Sequence, residues 1–474
     1  MTNSRSQTEI SSEVKMSYVL VVCFVAAVGG FLFGYDLVII SGAQLPLFKY
    51  FNLQEREFAQ GLVTASASIG CIVGPFLGMF LCDALGRRRT LVLAALLFGV
   101  SAIGTALPDY VERVLPVETF WTFILMRAIG GLGIGLASVA SPMYIIEVAP
   151  PKWRGALGLM FQLAVCIGAV AAVIVAWLVA RSISDVTNWR WMFGSEMVSI
   201  IAFVVLLKFV PYSPRWLAEK GRDDEALAVM KRISGPQQAE QEMAEIRESL
   251  EAESGGGFAE LWQPGMRMAL LVGVLLAFFN NWTGWTAVGI YLPMLFKEAG
   301  TTITSEAIQM TIPVFALDVI LTIVAMWLVD RVGRRIIWNT TAFAMIFATF
   351  FAGLVYQFDI RGLLVMLVLF GIAIPHAIGL GGLPWLMMSE LYPTRIRAKA
   401  VAVTTSVVWI GGYTVMQFFP VIIRISKESA LGTLAGAFWV FSVISVFALI
   451  FGLTLLPETK NKTLEEITRH WHRS

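Results

Sequence analysis

The chain has 474 residues, 57% hydrophobic and 14% charged, with a mean hydropathy of +0.74 and a formal net charge of +2. Soluble domains carry about 25% charged residues, so the composition excludes an ordinary soluble protein and points to an integral membrane protein. The near-neutral balance gives no basis for nucleic-acid binding, and the four cysteines (Cys23, Cys71, Cys82, Cys166) all fall in apolar stretches, which argues against a disulfide framework.

Residues 1–16 form a polar tail. The apolar run that follows is too long for a signal-peptide core and has no A-x-A site, so it reads as an uncleaved first helix. About 20 apolar residues cross a bilayer. Twelve stretches qualify: 17–43, 60–82, 90–107, 119–147, 155–180, 191–210, 268–297, 304–329, 336–356, 362–389, 399–423 and 431–456. Between the sixth and seventh, residues 211–267 are rich in charge, Ala and Leu, with a helix start at Ser213-Pro214 and a flexible Gly255–Gly257. The expected fold is all-α: a cytosolic tail (1–16), a six-helix bundle (17–210), a short cytosolic helical linker (211–267), a second six-helix bundle (268–456) and a cytosolic C-terminal tail (457–474). Placing the N-terminus inside puts 25 of the 35 Lys and Arg on the cytosolic side, nine outside and one, Arg127, within a span. That asymmetry predicts both termini in the cytosol. Compact loops and short tails favour a multi-pass protein of a bacterial inner membrane.

Three charged motifs recur. Asp83-x-x-Gly86-Arg87-Arg88 follows span 2, and Asp330-x-x-Gly333-Arg334-Arg335 follows span 8. Glu147-x-x-Pro150-x-x-x-Arg154-Gly155 ends span 4, and Glu390-x-x-Pro393-x-x-x-Arg397-Ala398 ends span 10. PYSPRWL at 211–217 follows span 6, and PETKNKTL at 457–464 follows span 12. The offsets are 247, 243 and 246 residues, all on one side of the membrane, so the two bundles are related by a parallel repeat, as in one fold of secondary transporters. Arginines alone would serve to hold the loops in the cytosol. The acids at fixed spacing from them predict inter-helix salt bridges that form a cytosolic gate: Asp83, Arg87, Arg88, Glu147 and Arg154 in one half, Asp330, Arg334, Arg335, Glu390 and Arg397 in the other.

These motifs resemble those of the major facilitator superfamily, and PYSPRWL with PETKNKTLEEI resembles its sugar porter family. The resemblance covers essentially the whole chain, including Arg127-x-x-Gly130-Gly131-x-Gly133-x-Gly135 in span 4 and Arg154-Gly155 with Gln162 in span 5. Tyr212 departs from it, standing where the family usually has Glu. The resemblance implies proton-coupled symport of a sugar or related polyol by alternating access, with the substrate, protons and the lipid bilayer as partners; no cofactor or metal is expected, and a monomer is the expected working unit. A facilitator, or a carrier of a sugar acid, amino sugar or organic acid on the same scaffold, is the alternative. A sugar sensor is a different class, and the short stretch after Pro457 speaks against it. No G-x-x-x-x-G-K-[ST] occurs, which excludes a P-loop pump at motif level, and no metal-ligand spacing or nucleophile–base pattern suggests an enzyme.

Asp36 sits inside FLFGYDLVIISG at 31–42, where a carboxylate costs about 2.5–3.5 kcal/mol. Asp36 and Arg127 each lie ten residues, about 15 Å, from the outer ends of their spans. Equal depth predicts a pair. It is either a structural lock between spans 1 and 4, or a proton switch in which protonation of Asp36 from outside releases Arg127. The resemblance favours the switch, since proton-coupled sugar porters have Asp in F-G-Y-D and facilitative relatives commonly have Asn.

Asn280, Asn281, Asp318, His376 and Trp409 fall at about 15–21 Å from the cytosolic side, the depth expected of a transporter site. By resemblance, Gln162 and Trp409 match sugar-contacting positions, and Gly381-Gly382-Leu383-Pro384-Trp385 keeps Trp385. Asn280 and Asn281 replace a Gln pair, Thr286 an Asn and Ile290 the first of two Tyr, while Tyr291 remains. Asp318 and His376 stand where the family usually has Asn and an aromatic. They would pair, take part in a second proton step, or meet a charged substrate such as an amino sugar or sugar acid. The simpler alternative is a protonated Asp318 that hydrogen-bonds like Asn, with His376 as a wall residue.

Overall fold

The computed structural model describes residues 16–150, 153–183, 186–252, 257–460 and 462. The N-terminal tail, Gly255 and Gly256 of the linker, and the chain beyond 462 lie outside the described residues. Among the described residues, twelve helices are long and apolar enough to cross a membrane: Met16–Tyr50, Glu57–Leu85, Arg87–Ala106, Thr119–Val148, Leu157–Ser182, Trp189–Leu207, Met266–Glu298, Thr304–Val332, Arg334–Gln357, Leu363–Met388, Lys399–Glu428 and Ala435–Thr454. They are spans 1 to 12 below. In hydrocarbon every backbone N–H and C=O must be satisfied within the segment, so apolar runs of this length become helices. Between spans 6 and 7 lie the helices Pro214–Glu219, Asp223–Ser234 and Pro236–Ala252. An even number of crossings puts the start of span 1 and the end of span 12 on one face, termed here the terminal face.

Within the first bundle, spans 2 and 4 approach until their backbones touch. A Cβ placed on Gly74 would lie 2.6 Å from Gly135 Cα, so only small residues fit along this seam. In the second bundle two spans are interrupted at mid-depth. Span 7 consists of Met266–Trp282 and Trp285–Glu298, broken at Gly284 with φ +117°. Span 10 is α-helical over Leu363–Pro375, π-helical over His376–Leu380 and α-helical again over Gly382–Glu390. Irregular backbone at this depth survives only against protein or a cavity, and π-turns frequently mark functional sites.

The bundles are joined by polar contacts that run from the midplane away from the terminal face. Ser406 Oγ donates to the Ile72 carbonyl (3.0 Å) near mid-depth. Farther out, Gln44 Nε2 donates to Ile290 O (3.2 Å), Gln417 Nε2 to Phe58 O (2.7 Å), and Arg424 pairs with Glu57 (3.2 Å). These contacts tie the two bundles together on the side opposite the termini.

The break in span 7 gives a stability test. Gly284→Ala would place a Cβ 2.9 Å from the Phe441 ring at a left-handed φ and is expected to cost about 1–3 kcal/mol. The change should appear as a lowered Tm of the purified protein in detergent. Gly382→Ala, where a Cβ would meet nothing within 4 Å, serves as the control and should leave Tm in place.

Candidate functional site

The most deeply buried charges lie where spans 1, 4 and 6 meet. Asp36 is 1% exposed, Arg127 0% and Glu196 1%. Arg127 Nη1 donates to Asp36 Oδ1, and Nη2 donates to the Asp36 carbonyl at 3.0 Å. The guanidinium lies 5.2 Å over the Phe193 ring. The structure thus brings together the two residues that depth counting placed level. It also adds a third, Glu196, whose carboxyl adjoins that of Asp36, each of the two keeping one buried oxygen without a hydrogen-bond partner among the described residues. Two carboxyl groups in contact and one guanidinium form a neutral cluster only when the carboxyls hold one proton between them. Gly130 makes room for this arrangement, since a Cβ there would stand 3.1 Å from Asp36 Oδ2. The signal that would have found Glu196 was available: it too is an acid inside an apolar run.

The residues expected to line the cavity divide into two groups. Asn280 and Asn281 are 6% and 5% exposed and turn onto the frame of their own bundle. Asn280 Nδ2 donates to Leu380 O and Gly381 O, both at 2.8 Å, at the carbonyls of the π-helical segment. Asn281 Nδ2 donates to Val408 O (2.9 Å), and its Oδ1 accepts from Thr286 Oγ1 (3.0 Å). Trp409 is buried at the seam of the bundles, its ring 5.5 Å from Phe33. Gln162 and Trp385 are exposed, while Asp318, His376 and Thr286 are half-buried. Gln162 Nε2 donates to Cys166 Sγ (3.7 Å), which meets Thr322 Oγ1 of span 8 at 3.6 Å. The Cys166 thiol also bonds the Asp318 carboxyl. His376 packs against Trp285 at 5.9 Å and makes no ion pair with Asp318. Sequence reasoning did not single out Cys166 or Thr322, because a thiol and a hydroxyl in apolar runs carry no signal of their own.

At the terminal face the repeated motifs form repeated clusters. Arg87 pairs with Glu147 (2.7 Å), Asp83 (3.8 Å) and Glu219 of the linker (4.0 Å). Arg334 pairs with Glu390 (2.9 Å) and Asp330 (3.3 Å). Each of these pairs stays within one half of the chain. Arg335 donates to the Gly452 carbonyl (3.1 Å), Arg88 to the Lys208 carbonyl (3.1 Å) and Arg397 to the Tyr392 carbonyl (3.3 Å). The side chain of Arg154 lies outside the described residues. Glu458 accepts from the backbone N–H groups of Arg334 (3.0 Å) and Arg335 (3.1 Å). Burial pushes its carboxyl up, but these N–H groups and those of Lys460 and Thr459 outweigh it and hold the group below the usual glutamate range. Its repeat mate Tyr212 stacks on Trp216 at 5.6 Å, with Arg88, Arg89 and Arg222 over its ring at 5.3, 5.7 and 5.6 Å.

Residues 22–471 match the model of a protein family described as sugar (and other) transporter. The chain belongs to that family. Its relatives include an arabinose-proton symporter of Bacillus subtilis, 37% identical over 99% of this chain and 100% of that protein. A D-xylose-proton symporter of Escherichia coli is 33% identical, over 98% of this chain and 97% of that protein. A solved inward-open conformation of the xylose transporter from E. coli superposes with a TM-score of 0.83 at 32% identity, covering 96% of this chain and 100% of that one. The chain is therefore a multi-pass membrane protein of a sugar transporter family.

Asn280→Ala removes the amide that serves two carbonyls at the π-helical segment. The expected loss is about 1–3 kcal/mol, read as a fall in Tm. An unchanged Tm would show that water replaces the amide and that the tie is dispensable.

Proposed function

We propose that this member of the sugar transporter family is a secondary active transporter that carries a sugar or related polyol together with protons by alternating access. The buried cluster of Asp36, Arg127 and Glu196 carries this reading, and the names of the symporter relatives support it. In this reading Asp36 is ionised against Arg127 until a proton arrives from the outer side. With Glu196 already holding the proton that the two carboxyls share, neutral Asp36 leaves the guanidinium without a counter-charge. A buried cation with one carboxylate removed is destabilised by about 3–5 kcal/mol, enough to change which arrangement of spans 1, 4 and 6 is preferred. The substrate lies in the cavity between the bundles, with Gln162 and Asp318 as its polar contacts and Trp385, Trp409 and His376 as walls. Asn280, Asn281 and Thr286 shape that wall from behind.

The terminal face is assigned to the cytosol on the Lys and Arg asymmetry, which places both termini inside. The Arg87–Glu147 and Arg334–Glu390 clusters then act as the cytosolic gate. A monomer in a bacterial inner membrane is the working unit in this reading.

The test uses purified protein in liposomes that enclose a pH-sensitive dye. Addition of the transported pentose, hexose or polyol should acidify the interior. Asp36→Asn should retain substrate exchange and lose proton-driven accumulation, and Glu196→Gln should weaken accumulation more than exchange. Full accumulation by Asp36→Asn at neutral pH would reduce the pair to a structural lock. Uptake of labelled sugar with no proton movement in the unmodified protein would make it a facilitator.

A further inference from the structure

Asp318 stands apart from the buried proton cluster. It lies on the face of span 8 that meets span 5, one turn before Thr322, while Ile320, Ile323 and Trp327 on the other side are 58%, 49% and 57% exposed, as lipid-facing residues are. Its polar neighbours are the Cys166 thiol, then Thr322 and the Gln162 amide that bond the same sulfur. All three are uncharged. Among the described residues no Lys or Arg pairs with it, and His376 makes no ion pair with it either. One turn back on the same helix, Phe315 lies 6.0 Å from Trp285, which packs at 5.9 Å on His376.

A carboxylate with no cation of its own, beside an amide, a hydroxyl and aromatic faces, is a donor set suited to an organic ammonium. The acid gives a charge-assisted hydrogen bond and the rings give a cation–π contact. The same carboxylate repels a second anion, and does so strongly where water is scarce. We propose that Asp318 makes the substrate site charge-selective. It takes a sugar bearing a protonated amine in preference to the neutral counterpart, and turns away the corresponding sugar acid. The inference rests on the sugar-transport reading above and narrows its substrate class. Hydroxyl groups are left to Gln162 and Thr322, so neutral sugars still enter, more weakly.

The experiment is competition in the same liposomes. Uptake of a labelled neutral sugar is challenged with D-glucosamine, D-glucose and D-glucuronate in turn. In the unmodified protein glucosamine should compete about tenfold better than glucose (~1.4 kcal/mol), and glucuronate at least tenfold worse. In Asp318→Asn the three should converge to within about twofold. Equal competition in the unmodified protein, or an unchanged ranking in Asp318→Asn, overturns the proposal.

A second arm requires no transport. Cys166 adjoins Asp318 and is 5% exposed, against 0% for Cys23, Cys71 and Cys82, so its modification by methanethiosulfonates reports the local field. The ratio of labelling rates, cationic over anionic reagent, should fall about tenfold from the unmodified protein to Asp318→Asn. An equal ratio in both proteins overturns the proposal even if the variant is inactive. Absence of all sugar uptake by the unmodified protein, with the labelling bias intact, would strike the transport reading and leave the charge selectivity standing.

Discussion

One guanidinium taken out of water organises the first bundle. Arg127 has no exposed surface and is the ninth of the 30 residues of span 4. An isolated ion in such a place is not tolerated, so span 1 brings Asp36 and span 6 brings Glu196. Phe193 covers the guanidinium, and Gly130 omits a side chain so that the carboxylate can approach. Three helices are thereby tied through one charge. The arithmetic of that charge is also what makes it sensitive: with two carboxyls and one cation, adding or removing a single proton always unbalances the cluster. In a medium of low dielectric that imbalance is comparable with the total free energy separating two packings of a domain.

The second bundle meets a different constraint. Its spans 7 and 10 are broken where substrate would sit, and a broken helix exposes carbonyls that must find donors. Asn280 supplies them at Leu380 and Gly381, and Asn281 ties span 7 to Val408 of span 11. A side chain one methylene longer would carry its amide farther from its own helix. In this chain the shorter amides are drawn into the frame, and in the proposed reading the polar chemistry offered to a substrate moves to the seam of spans 5 and 8. There Gln162, Cys166, Asp318 and Thr322 converge from both halves.

Helical rise explains what was legible. Depth follows from counting residues, so Asp36 could be set level with Arg127, and a repeated spacing of Asp, Gly and Arg could be matched across the two halves without knowing any contact. Azimuth is not fixed by counting. Whether Asn280 faces the cavity or the backbone of span 10 depends on a π-helical stretch that no hydrophobic period announces. Glu196 carried the same signal as Asp36, an acid inside an apolar run, but a weaker one. It follows WRWMFGS near the start of span 6, where the helix is interrupted between Gly194 and Glu196, and so reads as part of a span's edge. Its partner Asp36 belongs to another helix, and only the packing brings them together.

The contact of Gly74 with Gly135 has a mechanical consequence. Two backbones in direct contact leave no compressible side-chain layer between them, so spans 2 and 4 tilt as one stiff beam. Span 4 has 30 residues and is about 45 Å long. A rotation of about 10° near its middle would carry each end through about 4 Å on that length. Arg127 lies on this beam, with Glu147 at one end. The same rotation moves Arg127, about 10 Å from the middle, by about 2 Å, so in the proposed transport cycle leverage doubles a small shift at a buried charge by the time it reaches the end of the beam.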